Sequence, residues 1–164
     1  MRAVATFDAF YQQELRAVIG LAFALSGSRT AAEDLAQEAF LAAHKNWDRV
    51  GAYEKPGAWV RRVVANKSVS IFRRRVREAK ALARLRMADS VMPSLPAHDD
   101  AFWGAVRALP RRQSQVIALH YLEDRSVADI AEILDCAEGT VKVHLRNGRL
   151  KLAETLGLEI GGAT

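Results

Sequence analysis

The run DIAEILDCAEGTVKVHLRNGRLKL, from Asp129 to Leu152, sets a short apolar-patterned helix, a tight turn and a longer helix studded with cations in direct succession. Ile130, Ile133 and Leu134 recur at helical spacing, so the first helix has a face to bury, and Ser126 with Asp129 has the spacing of a capping box. Asp135, Cys136 and Ala137 supply the turn. On the second helix Val141, Leu145, Gly148 and Leu152 fall on one face, while Thr140, Val143, Arg146 and Asn147 point the other way. Two helices crossing at a tight turn are a means of presenting one of them to a DNA groove. Arginine and asparagine each grip a base edge through two hydrogen bonds, and Lys142 and Arg149 on the flanks suit phosphates. The competing reading is a helical hairpin with a solvated polar face.

Working outward, the same three-and-four periodicity holds along most of the chain and strand signals are nearly absent, so the expected fold is all-α. A first helix is expected from about Thr6 to Leu25, with Phe7, Phe10, Leu15, Val18, Leu21 and Leu25 as its apolar surface. A second is expected to start at a capping box of Thr30 and Glu33 and run to about Trp47, burying Leu35, Ala39, Phe40 and Ala43. DRVGAYEKPG, residues 48–57, reads as a loop, and a helix from near Pro56 carries Trp59, Val60, Val63, Val64 and Ile71 on one arc that also contains Lys67. That helix either bends near Asn66 or lets the lysine stem reach solvent. The segment VMPSLPAHDD has two prolines and no periodicity. It marks a boundary, giving two small helical domains, 1–77 and 99–164, joined by a flexible linker over 78–98, with the helix-turn-helix in the second. Phe102, Val106 and Leu109 open one more helix, and RRQSQVIALHYLED reads as another.

With 164 residues, 50% hydrophobic and 26% charged, the chain can bury one ordinary core or two small ones, and a formal net charge of +5 favours polyanionic partners. The lone Cys136 permits neither an internal disulfide nor a thiolate metal cluster, which suits a reducing interior and makes the cytoplasm the default. AVIGLAFALSG, residues 17–27, has the look of a secretory core, but Asp8 and Glu14 lie upstream of it, and it falls well short of the ~20 residues that cross a bilayer. A buried helix is expected there, with no membrane insertion. His44, His98, His120 and His144 lack ligand spacing, and neither a phosphate loop nor a nucleophile elbow occurs. No metal, cofactor or catalytic residue is expected.

Two further patterns point to binding. In AEDLAQEAFLAAHKNW the residues Asp34, Gln37, Glu38 and Leu41 form a stripe opposite the apolar one. An acidic stripe repels DNA, so on a basic chain it suggests a protein-binding face, against the plainer reading of a solvated helix side. Between Arg61 and Arg86 stand the cations Arg61, Arg62, Lys67, Arg73, Arg74, Arg75, Arg77, Lys80, Arg84 and Arg86, with Glu78 the lone acid. Tyr53 and Trp59 lie just upstream, and cations interleaved with aromatics suit single-stranded nucleic acid, because phosphates need charge and unstacked bases need flat partners. Trp59 is equally a core residue by its spacing.

AEDLAQEAF, WVRRVVANKSVSIFRRR, ALPRRQSQVIALHYLED and the opening run, in this order, resemble an extracytoplasmic-function sigma factor of bacterial RNA polymerase, with its regions two and four. The resemblance implies a non-enzymatic promoter-specificity subunit whose partners are core RNA polymerase and promoter DNA. It implies that Asp34, Gln37, Glu38 and Leu41 dock on the clamp helices of the largest polymerase subunit. It implies further that the loop from Val50 to Lys55 takes a flipped base of the melted minus-ten element, that Asn66 contacts bases there, and that Arg73, Arg74 and Arg75 lie near phosphates. Tyr53, Trp59, Arg62 and Lys67 complete that downstream set. The helix from Glu138 matches the one that enters the major groove at the minus-thirty-five element, so Arg111, Arg112, Ser126, Thr140, Lys142, Val143, Arg146, Asn147 and Arg149 form the upstream set. Many relatives have an anti-sigma partner, and Leu150, opposite the core face, either contacts one or packs on the preceding helices. Asp135 stands where the family commonly has glycine, and aspartate tolerates a left-handed backbone better than most residues. Ala137 replaces a usual serine and so removes a helix cap, at a cost of about 1 kcal/mol. The rival reading is a two-domain regulator of the LuxR type, which would need a receiver or sensing domain that residues 1–77 do not resemble. A helical adaptor that only bridges proteins is a third.

Overall fold

A computed structural model describes residues 6–68 and 100–157, and all regular structure among them is helical. In chain order the helices are α1 (Phe7–Ser26), α2 (Arg29–Lys45), the single turn α3 (Trp47–Val50), α4 (described over residues 56–68), α5 (Asp100–Ala108), α6 (Arg111–Tyr121), α7 (Val127–Leu134) and α8 (Glu138–Leu156). The expected boundary and linker, along with Ile71, Arg73, Arg74 and Arg75, lie outside the described residues.

Helix starts follow local hydroxyl chemistry. Thr6 caps α1 by accepting from the Ala9 N–H at 3.2 Å. The expected Thr30 and Glu33 box does not form: α2 begins two residues earlier, capped by Ser28, whose Oγ accepts from the Ala31 N–H at 3.2 Å. That start buries Ala31, Ala32 and Leu35 on α1, and Glu33 instead pairs with Arg29 at 3.2 Å. α2 ends at Lys45, and the stretch expected to be a loop opens with α3, which puts Val50 into the core. Lys67 is exposed, within 3.5 Å of Glu38, so its position on the apolar arc is resolved by the stem reaching outward.

α7 and α8 take the expected form. Ser126 Oγ accepts from the Asp129 N–H at 3.1 Å, and Asp135 turns the chain in the left-handed region with φ 54°. Ala137 heads α8 with no side-chain cap. Val141, Leu145, Gly148 and Leu152 are all buried, and a Cβ on Gly148 would lie 2.9 Å from Ile117 Cγ1, so α6 and α8 cross in contact there. Ala137→Ser is expected to add about 1 kcal/mol to stability by capping α8. Urea unfolding measures it, and an unchanged midpoint would count against a cap-limited first turn.

The core is shared between the two halves of the chain. α1 packs against α2 and also against α5 and α6, so Leu21 and Leu35 belong to one hydrophobic cluster with Trp103, Ile117, Ile130 and Val141. Polar groups buried at the junction are satisfied across it. Gln115 donates through Nε2 to the Ala65 carbonyl at 2.9 Å and accepts from Arg112 at 3.2 Å. Arg107 reaches the Ala24 carbonyl in the last turn of α1 at 3.4 Å, which puts a cation at the negative end of that helix. Burial lowers the Arg107 pKa, against a smaller opposing pull from Asp100.

Candidate protein and nucleic-acid interfaces

Three surfaces carry the residues singled out by sequence. On α2, Asp34, Gln37, Glu38 and Leu41 are exposed along one stripe. Leu41 is 57% exposed, and with Gln37 it edges an apolar groove of about 290 Å³ lined by Phe7, Tyr11, Phe40 and His44. Acids flanking an exposed leucine and an aromatic groove form a surface suited to a partner with apolar and basic side chains.

On α8, Thr140, Lys142, Val143, Arg146, Asn147 and Arg149 are exposed while the opposite face is buried. Val143 is 56% exposed, a β-branched apolar residue with nothing over it. Arg149 is held in place: its Nε donates to Tyr121 Oη at 2.7 Å, its Nη2 lies 3.2 Å from His120 Nε2, and its guanidinium carbon stands 5.6 Å from the Tyr121 ring centre. His120 Nδ1 lies 3.2 Å from the Arg125 carbonyl, so Nδ1 carries the proton and Nε2 is the acceptor that Arg149 meets. Leu150 is 44% exposed on the far side from the core.

The third surface is a cleft of about 400 Å³ lined by Arg49, Tyr53, Glu54, Lys55, Ala58, Trp59, Arg62 and Glu132. It brings together Tyr53, Trp59 and Arg62 of the expected downstream set. Trp59 is half-buried, packed on the core on one side and lining the cleft on the other. Glu132 comes from α7, in the other half of the chain.

Here the structure departs from a free basic patch. Arg61 is not on the surface. Its side chain is 3% exposed and lies between Glu14, with Nη2 to Oε2 at 2.9 Å, and Glu123, with Nε to Oε2 at 2.8 Å. Nη1 also donates to the Gly57 carbonyl at 3.1 Å, and a Cβ on Gly57 would stand 2.9 Å from that nitrogen, so the glycine is what lets the guanidinium lie there. Arg62 donates to the carbonyls of Ile133 at 3.0 Å and Glu132 at 2.7 Å, in the last turn of α7. Helix-end carbonyls lack intrahelical donors, and a cation favours the negative end of the helix, so Arg62 acts as a cap supplied from α4. Asn66 Oδ1 accepts from Arg111 at 3.3 Å, joining a downstream to an upstream residue.

Lys55 bridges Asp129 and Glu132, each at 3.2 Å. Asp129 therefore completes only half of its capping box, because its carboxylate turns to Lys55. The Lys55 ammonium, then the Ser126 hydroxyl, hold the Asp129 carboxyl below the usual carboxylate range, and Asp129 and Glu132 raise the Lys55 pKa. The bridge is thus complete across neutral pH. It weakens in acid as pH falls through the lowered Asp129 value, and in alkali as pH rises through the raised Lys55 value.

Glu14, Gln115 and Glu123 are not singled out by the sequence, and Arg61 reads there as one cation of the basic patch; no local spacing signals its burial. Among the described residues there is no cluster of His, Cys, Asp and Glu that could hold a metal, and no helix long and apolar enough to cross a membrane.

Family models match both halves in order: Sigma-70 region 2 over residues 10–78 and Sigma-70, region 4 over residues 99–152. The amino-terminal match removes support from the LuxR-type alternative. The ECF RNA polymerase sigma factor SigW of Bacillus subtilis is 29% identical over 152 residues, covering 83% of this chain and 81% of that protein. The ECF RNA polymerase sigma factor SigM of Mycobacterium tuberculosis is 30% identical over 156 residues, covering 92% and 77%. A solved structure of the sigma factor RpoE in complex with the anti-sigma factor NepR, from Bartonella quintana, superimposes with a TM-score of 0.69 at 28% identity, over 93% of this chain and 98% of that one.

Proposed function

The chain belongs to the extracytoplasmic-function sigma factors of RNA polymerase, and from that premise we propose that its two halves divide promoter recognition between them. Residues 1–77 form the domain that binds core polymerase and the melted minus-ten element, and residues 99–164 the one that reads the duplex at minus thirty-five. Asp34, Gln37, Glu38 and Leu41 meet the polymerase. Tyr53, Trp59, Arg62, Asn66 and Lys67 hold the melted strand, with Arg73, Arg74 and Arg75 along its phosphates. Thr140, Val143, Arg146 and Asn147 read base edges, while Lys142, Arg149, Arg111, Arg112 and Ser126 position the helix on the backbone. Catalysis stays with the polymerase, in the cytoplasm. An anti-sigma factor is a further partner, supported by the relative crystallised with one.

The observation that carries this reading is the clean division of α8 into a buried face and an exposed polar face, within a chain that matches both family regions. Transcription in vitro with purified core enzyme and a promoter library tests it, and the expected result is initiation from a subset of promoters that core enzyme alone ignores. Absence of any initiation by folded protein would count against it.

Charge reversal at Asp34 and Glu38 is expected to weaken holoenzyme assembly roughly tenfold, since two exposed ion pairs contribute up to about 1 kcal/mol each. Unchanged affinity for core enzyme, in a variant folded by circular dichroism, would remove the stripe from that interface.

A further inference from the structure

We propose that, in the free chain, α7 and the loop leading into it occupy the downstream-element face as a stand-in for a DNA strand. The inference rests on the assignment of that face to the melted strand. The polar groups that α7 is seen to offer this face are of the kind a nucleic acid offers. Asp129 and Glu132 present carboxylates to Lys55, as phosphates would, and the carbonyls of Glu132 and Ile133 accept from Arg62, as base or phosphate oxygens would. Glu132 stands at the rim of the cleft formed by Tyr53, Trp59 and Arg62. Glu123, from the same loop, meets Arg61, and Arg111 takes up the Oδ1 of Asn66. A strand entering this face must displace α7, because Arg62 and Lys55 cannot serve both.

The masking is one-sided. In the same arrangement Thr140, Val143, Arg146 and Asn147 remain exposed on α8. The closed chain therefore presents its duplex-reading helix while withholding its single-strand face. Strand capture is then coupled to whatever pulls α7 away, and docking of the α2 stripe on polymerase, with its own exposed surface, is free to come first.

Two measurements on the full chain test this. Carbodiimide treatment of the free protein is expected to join Lys55 Nζ to the carboxyl of Asp129 or Glu132 as an amide, the water lost being taken up by the carbodiimide as its urea. The joined peptide is read by mass spectrometry, and saturating core polymerase is expected to abolish it. The variant Asp129→Asn/Glu132→Gln is expected to bind a random-sequence single-stranded DNA pool roughly fivefold more tightly than wild type, as two competing ion pairs are lost. Glu33→Gln/Glu154→Gln changes the net charge equally at sites remote from the face, and is expected to shift affinity less than twofold.

No joined peptide in the free chain, or an equal yield with polymerase bound, overturns the closed state. Equal oligonucleotide affinity in wild type and the α7 variant, or an equal gain in the remote variant, overturns the mimicry. Wild-type permanganate reactivity of promoter thymines in Tyr53→Ala and Asn66→Ala holoenzymes overturns it at a different point, by removing the downstream assignment itself.

Discussion

Arg61→Met is expected to cost about 3–5 kcal/mol of stability, the usual penalty for removing one partner of a buried ion pair. The partner left behind is Glu123, 7% exposed, with only Arg125, at 3.6 Å, to offset its charge among the described residues, and Glu14 loses its 2.9 Å contact as well. The double variant Arg61→Met/Glu123→Met is expected to regain most of this loss, because apolar groups of similar volume replace a buried pair at little cost. Urea unfolding of the wild type, both single variants and the double variant closes the cycle. The penalty has a ceiling: separating the two halves returns Glu123 to water, so it cannot exceed the free energy of that separation. A loss under about 1 kcal/mol would therefore mean that the halves part almost freely, and would count against a populated closed state.

The residues in that cluster mark where sequence reading ends. Helix faces were legible because burial follows the 3.6-residue period, and all four residues expected on the inner face of α8 are buried. The Asp135 turn was legible because few residues other than glycine take a left-handed backbone easily. Arg61 reads as a surface cation because its partners Glu14 and Glu123 lie 47 and 62 positions away, beyond the reach of periodicity. Gln115 was missed for the same reason, its acceptor being the Ala65 carbonyl 50 positions back. The cap of α2 was misplaced because Ser26, Ser28 and Thr30 offer three hydroxyls at similar spacing, and the packing of Ala31 and Leu35 on α1 selects among them. The exposed stripe on α2 and the exposed outer face of α8 were readable from local spacing. Their relation to one another was not, since it depends on how the halves meet.

Arg146→Ala is expected to cost about 1–3 kcal/mol at one or two adjacent base pairs of the upstream element, the value of a two-bond grip on a base edge. That is roughly 5- to 150-fold in preference. Lys142→Ala, at a residue proposed above to meet phosphate, is expected to weaken every sequence alike and to lower the salt slope by about one. Arg149 is already pinned by Tyr121 and His120, so less side-chain freedom remains to be lost when it meets a phosphate. A randomised-promoter selection with holoenzyme at two salt concentrations separates the two classes. A preference in Arg146→Ala identical to that of wild type would remove the residue from base reading.

The two faces of α8 share no side chain: Val141, Leu145, Gly148 and Leu152 answer to packing, and Thr140, Val143, Arg146 and Asn147 answer only to solvent. Exposed substitutions of this kind usually move stability by no more than about 0.5 kcal/mol. Exchanges at these four positions, one at a time, are therefore expected to remake the outer surface of α8 and leave the chain folded, whereas an exchange on the inner face costs packing.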